Sequence, residues 1–195
     1  LLDDSLRFHN EESLYEQAIS KMLVDEDIFV TSENRYALSM LYYAEKRILD
    51  FFTRRKDEKN RKIIATFDEY LIKKQETLGF ELSTEQKKAV ELINNGDKTL
   101  FLIGYAGTGK STSSRAILEL LEETMSYDDI MTIALSGIAS QRISDTTGYN
   151  SSTIQSLLMK HKEKDFFPYK AILLDEASMV NSVTFNQIVS KIDDD

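Results

Sequence analysis

The stretch that most restricts this chain is GYAGTGKST, residues 104 to 112. It matches the pattern G-x-x-x-x-G-K-[ST] in full, directly after the apolar run TLFLI (99–103) and directly before the helical pattern KSTSSRAILELLEETM (110–125). Glycines at 104, 107 and 109 let the backbone turn sharply enough to aim several N–H groups at one phosphate. The amino end of the following helix adds its dipole. In this pattern Lys110 reaches the β- and γ-phosphates of a nucleotide and the Ser111 hydroxyl ligates magnesium.

The surrounding sequence keeps the same α/β rhythm. LSTEQKKAVELINNG predicts a helix with Ser83 as N-cap, Gln86 at its third position and Asn95-Gly96 as its stop. After TLFLI, the helix over 110–125 turns Ile117, Leu120, Leu121 and Met125 inward, and IMTIAL (130–135) reads as the next strand. AILLDEASMV is a further apolar strand that ends in acids. Strands alternating with helices of this length imply a parallel sheet with its ligand site at the strand carboxyl ends. There, Asp175 suits a magnesium shell and Glu176 suits activation of an attacking water. Gln86 has two readings, because Ser83-x-x-Gln86 is also a capping box that needs no ligand.

Upstream, EESLYEQAISKMLV (11–24) places Tyr15, Ala18, Ile19, Met22 and Leu23 on one helical face. DIFVTSENRYAL reads as two short strands around the turn Ser32-Glu33-Asn34-Arg35. A helix from about Ser39 follows, with Leu41, Ala44, Ile48 and Phe52 spaced to face a core. Helix, hairpin, helix is the order at the end of a winged-helix module; a small packing unit without a ligand has the same order. The expected organisation is a winged-helix-like module over 1–53, a charged linker or helix over 54–79 and an α/β domain over 80–195. The run TRRKDEKNRK (53–62), with six Lys or Arg against Asp57 and Glu58, marks the join.

Composition narrows the chemistry. A net charge of -9 argues against a broad basic surface, though not against a narrow groove for nucleic acid. The absence of cysteine excludes disulfides and thiolate metal sites and is compatible with a reducing cytosol; a cytoplasmic location is expected. His9 and His161 supply the only imidazoles, without a partner at helical spacing, so any metal here is a hard ion held by oxygen. No apolar run reaches membrane-spanning length, and no membrane partner is expected. The chain opens on Leu1 and stops at Asp195, which reads as a piece of something longer.

Five segments, LSTEQKKAVELI, GYAGTGKST, ALSGIASQRI, STIQSLL and LLDEASMV, stand in an order that resembles the first motor domain of superfamily 1 DNA helicases. Within that group they look most like the RecD family, the exonuclease V alpha-subunit type. The resemblance covers roughly residues 80 to 185, and YALSMLYYAEKRILDFF extends it more loosely upstream. It implies a RecA-like P-loop NTPase domain, incomplete here, and an ATP- and Mg2+-dependent helicase moving 5′ to 3′ on single-stranded DNA in recombination or repair. Further subunits of a nuclease-helicase complex are implied as partners. The family assigns adenine recognition to Gln86, and phosphates and magnesium to Gly107, Thr108, Gly109, Lys110, Ser111 and Thr112. Asp175 and Glu176 form its second ATPase motif.

The resemblance also assigns the path of single-stranded DNA to the polar stretch LSGIASQRISDTTGYNSSTIQSLL (135–158). Ser136, Gly137, Gln141 and Arg142 approach it after one strand, and Ser152, Thr153 and Gln155 at the next helix start. Short hydroxyl groups and backbone N–H groups can bond successive phosphates without reading bases. Ile138 and Gln155 depart from the family, where relatives commonly carry arginine and histidine. The competing reading makes 144–152 a loop and Ser152-x-x-Gln155 another capping box. Two other functions stay open: a P-loop ATPase switch, which needs neither STIQSLL nor the upstream glutamine, and a non-catalytic docking subunit, which the intact Lys110, Asp175 and Glu176 oppose. The family's later motifs and second motor domain would lie beyond Asp195, so this piece alone is expected to bind nucleotide weakly without efficient hydrolysis.

Overall fold

A computed structural model describes residues 4–79, 81–105 and 107–193, with the side chains of 4–12 and 78 outside the described set. The reading of His9 falls outside it. The chain runs α1 (Asp4–Val24), the hairpin β1 (Ile28–Val30) and β2 (Tyr36–Leu38), α2 (Ser39–Arg55), α3 (Phe67–Leu78), α4 (Thr84–Asn94) and α5 (Lys110–Leu121). It continues with β3 (Ile130–Ala134), α6 (Gly137–Thr147), β4 (Ser151–Thr153), α7 (Ile154–Lys160), β5 (Ala171–Leu174) and α8 (Ser182–Val189).

Three of the strands form a parallel sheet, the kind that the alternating pattern predicts; its order is β4-β3-β5, with β4 lying where the sequence reading has a loop or a helix start. The central strand β3 is buried along its whole length, with Ile133 and Thr132 at 0% exposure. Thr132 can lie there because its Oγ1 donates to the Asn150 carbonyl at 2.9 Å. The expected strand at 99–103 departs from the sequence reading. It forms no ladder with any strand among the described residues. Its period-two alternation survives, since Leu100 and Leu102 pack against the helical core while Phe101 and Ile103 point outward. Side-chain alternation is local and pattern-encoded; ladder bonds need a neighbouring strand.

That helical core is built by α3, α4 and α5 through Phe67, Leu71, Ala89, Val90, Ala116, Ile117 and Leu120, with Leu82. On α5, Ile117 and Leu120 face this core as expected, while Leu118 is buried on a second side against Ile130 and Tyr149. The helix stops at Leu121, short of Met125, which still packs against that second cluster. Residues from 59 to 64, within the charged join, are tied to the end of α4. Asn60 N–H donates to the Gly96 carbonyl at 2.7 Å and Ile63 N–H to the Asn94 carbonyl at 3.0 Å. A Cβ at Gly96 would sit 2.1 Å from the Asn60 carbonyl oxygen, so the stop signal also permits this close approach.

Asn94 completes the tie. It is fully buried, and its amide accepts from Ile64 N–H at 2.9 Å and donates to the Ile64 carbonyl at 3.2 Å. Removing the amide leaves two backbone groups unpaired at this junction. Asn94→Leu is expected to destabilise by about 2 kcal/mol, read as a lower urea midpoint at unchanged slope.

The N-terminal elements follow the expected order, with the expected faces covered in part. β1 and β2 pair antiparallel, with Asn34 in the left-handed region inside the expected turn. On α1, Ile19, Met22 and Leu23 are partly covered, whereas Tyr15 and Ala18 are exposed, because the helix meets little beyond β1. On α2 the most buried positions are Ala44 and Phe51, with Ile48 and Phe52 half-buried and Leu41 exposed. α2 packs against α8, and Phe52 meets Phe101 and Phe185 at ring-centroid distances of 4.9 and 6.0 Å.

His161, just after α7, is only 4% exposed and lies edge-on to Phe167 and Tyr169. Burial, then the cationic Lys164, Lys160 and Lys191, lowers its pKa below the ordinary 6.5. The folded chain therefore binds fewer protons here than the unfolded chain once the pH drops below that value. This contribution to stability is complete above about pH 6.5 and declines as the pH falls toward the lower folded value. A urea-midpoint series from pH 8 to 5 should fall below pH 6.5, and His161→Phe should flatten that fall.

Candidate functional site

The loop between residue 103 and α5 turns through Gly107 and Gly109, both at φ 80°. Gly109 is the N-cap of α5 and leaves the helix start without a side-chain cap, whereas Ser83, Ser136, Thr153 and Asn181 cap α4, α6, α7 and α8. The first N–H groups of α5 lack intrahelical acceptors by geometry. No acid stands in its first turn. Lys110 Nζ donates to the carbonyls of Gly104 and Tyr105 at 2.7 and 2.8 Å, and Thr108 Oγ1 donates to the Tyr105 carbonyl at 2.8 Å. A cation, an uncapped helix start and two left-handed glycines form a donor set suited to phosphate.

Ser111 is exposed in the first turn of α5, with Thr112 beside it. Gln86 satisfies both of its readings at once. Its Oε1 accepts from Ser83 N–H at 2.8 Å, closing the capping box, while its Nε2 donates to the Gly109 carbonyl at 3.3 Å. The structure thus brings Gln86 to the loop.

The acidic pair lies at the end of β5. Asp175 N–H continues the ladder to the Ile133 carbonyl at 2.9 Å, and Asp175 Oδ1 accepts from Glu176 N–H at 3.0 Å. Glu176 is left-handed at φ 52°, ψ 39°, a conformation that costs a residue with a Cβ about 1–2 kcal/mol. Among the described residues no group of three or more His, Cys, Asp or Glu could enclose a metal. Ser111 and Asp175 carry oxygens of the hard kind that magnesium takes, an ion often held by only one or two protein oxygens with water and phosphate completing its shell.

The polar stretch 135–158 is ordered as helix, strand and helix. α6 runs to Thr147 and ends at Gly148 (φ 81°), and β4 takes Ser151–Thr153, so the loop expected over 144–152 is only a short turn. Side-chain hydrogen bonds build this arrangement. Ser136 Oγ accepts from Ala139 N–H at 3.2 Å, and the Ser140 and Ser151 hydroxyls meet at 2.9 Å. Tyr149 OH donates to Glu122 at 2.8 Å; burial, then this carboxylate, raises the phenol's pKa. The cap of α7 is Thr153, whose Oγ1 accepts from Ser156 N–H at 3.1 Å, rather than Ser152 paired with Gln155. The helix starts one residue later than the capping-box reading placed it, leaving the Gln155 side chain exposed.

Among the other residues assigned to DNA, Gly137 opens α6, Gln141 bonds Asp145 on its own helix at 2.7 Å, and Arg142 is exposed. Ser152 Oγ donates to the Thr153 carbonyl at 3.2 Å. Parallel register aligns Ala134 with Thr153 and Ile133 with Leu174. β3, β4 and β5 therefore end side by side, leading to Ser136, Thr153 and Asp175. Two shallow grooves lie elsewhere, between α2 and α8 and beside β4, and the phosphate loop lines neither. The loop faces outward, with Tyr105 90% exposed.

Residues 81–195, more than half of the chain, match the family profile described as AAA domain. The chain belongs to this family. The AAA domain's parallel sheet and phosphate loop have the RecA-like P-loop NTPase fold. Over 175 residues the chain is 26% identical to the ATP-dependent RecD2 DNA helicase of Deinococcus radiodurans, covering 83% of this chain and 23% of that protein. It is 31% identical over 112 residues to the ATP-dependent DNA helicase RRM3 of Saccharomyces cerevisiae, covering 51% of this chain and 16% of that one. It is also 25% identical over 190 residues to the conjugal transfer protein TraA of Rhizobium radiobacter, covering 90% and 17% respectively. The chain thus spans less than a quarter of the length of each of these curated relatives.

Proposed function

We propose that this chain carries the nucleotide-binding part of an ATP-dependent DNA helicase or translocase of superfamily 1. Its finer assignment is to the RecD type, moving 5′ to 3′ on single-stranded DNA in recombination or repair. One observation carries the reading: three parallel strands end together, one at the acidic pair Asp175-Glu176 and two at the hydroxyl-rich turns of Ser136 and Thr153. Similarity to two proteins named as DNA helicases supports it. In this reading Lys110 and the N–H groups at the start of α5 bind the phosphates of ATP. Ser111 and Asp175 hold magnesium, which when bound neutralises charge on the phosphates. Glu176 orients the attacking water and takes its proton.

Ser136, Gly137, Gln141, Arg142, Ser152, Thr153 and Gln155 would track the DNA backbone from the same edge of the sheet. Arg142 is the cation in that set, so Arg142→Ala should weaken single-strand binding and lower the salt slope by about 0.7. The test is oligonucleotide anisotropy titrated at several salt concentrations. An unchanged slope removes Arg142 from the DNA path, and no binding of any single strand by wild type contradicts the DNA reading. A winged-helix-like module over 1–53, a join over 54–79 and a motor domain from 80 onward remain our proposed division. The close packing of α2 on α8 makes the first and last of these neighbours.

A further inference from the structure

The Gln86 side-chain amide touches both the start of α4 and the start of α5. Its two ends cannot be exchanged, because Ser83 presents a backbone N–H and Gly109 a carbonyl. The first needs the amide oxygen and the second the amide nitrogen. The Gly109 carbonyl also accepts from Ser113 N–H at 3.0 Å and Ser113 Oγ at 3.3 Å, so it is the first acceptor of the α5 ladder. A Cβ built at Gly109 would lie 2.3 Å from Gln86 Nε2. The glutamine therefore packs directly on the left-handed turn that precedes Lys110. Behind it, Ala89, Val90, Ala116, Ile117 and Leu120 lock α4 against α5 and fix where the amide can reach.

We infer that Gln86 is a positioning residue for the phosphate loop: by holding the Gly109 carbonyl it fixes the turn from which Lys110 and Ser111 project, whichever base the nucleotide carries. The inference rests on the proposed nucleotide site and differs from adenine recognition in a measurable way. A residue that only reads the base has no effect on a triphosphate without one. A residue that sets the loop affects every polyphosphate, because the cost of ordering the loop falls on the phosphate contacts.

The experiment is competition of Mg-ATP and Mg-tripolyphosphate against a fluorescent nucleotide, on wild type, Gln86→Ala and Ser83→Ala. Losing one hydrogen bond of ordinary strength predicts that Gln86→Ala binds Mg-tripolyphosphate about three- to tenfold more weakly. Ser83→Ala breaks the other half of the cap without touching Gly109, so it should lower the melting temperature of the chain and leave tripolyphosphate affinity unchanged. Unchanged tripolyphosphate binding by Gln86→Ala, with ATP binding weakened, overturns the inference and leaves Gln86 a base reader. Equal weakening by Ser83→Ala also overturns it, because helix stability would then explain the loss. A wild type that binds neither Mg-ATP nor Mg-tripolyphosphate defeats the nucleotide reading itself.

Discussion

Glu176→Gln in the complete protein is expected to lower ATP turnover by about 10²- to 10⁴-fold while Mg-ATP still binds. That range is what loss of a positioned proton acceptor costs. The amide keeps the size of the side chain and its reach from the end of β5, so the phosphate loop around Lys110 is undisturbed. The left-handed backbone at this position adds a second, separable effect. Glu176→Gly removes the same carboxylate but relieves the conformational cost, and should raise stability by about 1 kcal/mol. Inactivation accompanied by a higher melting temperature would show strain retained at a working residue. A Glu176→Gln protein with near-normal turnover would remove this residue from the chemistry.

Lys110→Ala should weaken Mg-ATP binding by about 10- to 100-fold, the value of one charge-assisted hydrogen bond to phosphate. The fold should survive the change, because the ammonium bonds only exposed loop carbonyls, Gly104 and Tyr105. Isothermal titration on the chain, with circular dichroism as the folding control, separates the two. Unchanged affinity would mean that the uncapped start of α5 and the loop N–H groups suffice, and Lys110 would lose its role.

Local signals carried most of what was legible in the sequence. The boundaries of α4 followed from Ser83, Gln86 and the Asn95-Gly96 stop, since caps and left-handed glycines are chosen by the residues that make them. The loop from 104 to 112 was legible for the same reason. Residues 99–103 show the limit: alternation of Leu100 and Leu102 against Phe101 and Ile103 was readable, but whether a neighbour completes the ladder is a property of the whole sheet. The expected faces of α1 and α2 are covered only in part, because a helical stripe tells which residues share a side and burial depends on what lies opposite; Ala44 is buried, but Tyr15 and Leu41 meet solvent.

The same limit applies to the site. Ser136, Thr153 and Asp175 are separated in sequence, and only the parallel register of β3, β4 and β5 sets them along one edge. The spacing Ser83-x-x-Gln86 suits either a cap or a ligand contact, and no spacing rule reveals that one amide can close the cap and reach Gly109 as well. The serine and tyrosine contacts that shape 135–158, such as Ser140 with Ser151 and Tyr149 with Glu122, leave no periodic trace.

In the proposed function, ATP hydrolysis and a single strand meet at one sheet edge. The direct measurement is steady-state ATPase of the complete protein that contains this chain, titrated with single-stranded oligonucleotide and compared with Lys110→Ala. The proposal predicts turnover that rises with added single strand to a plateau in wild type and stays at background in the variant. ATP turnover that is present but indifferent to single-stranded DNA would contradict it and leave a P-loop ATPase of another kind.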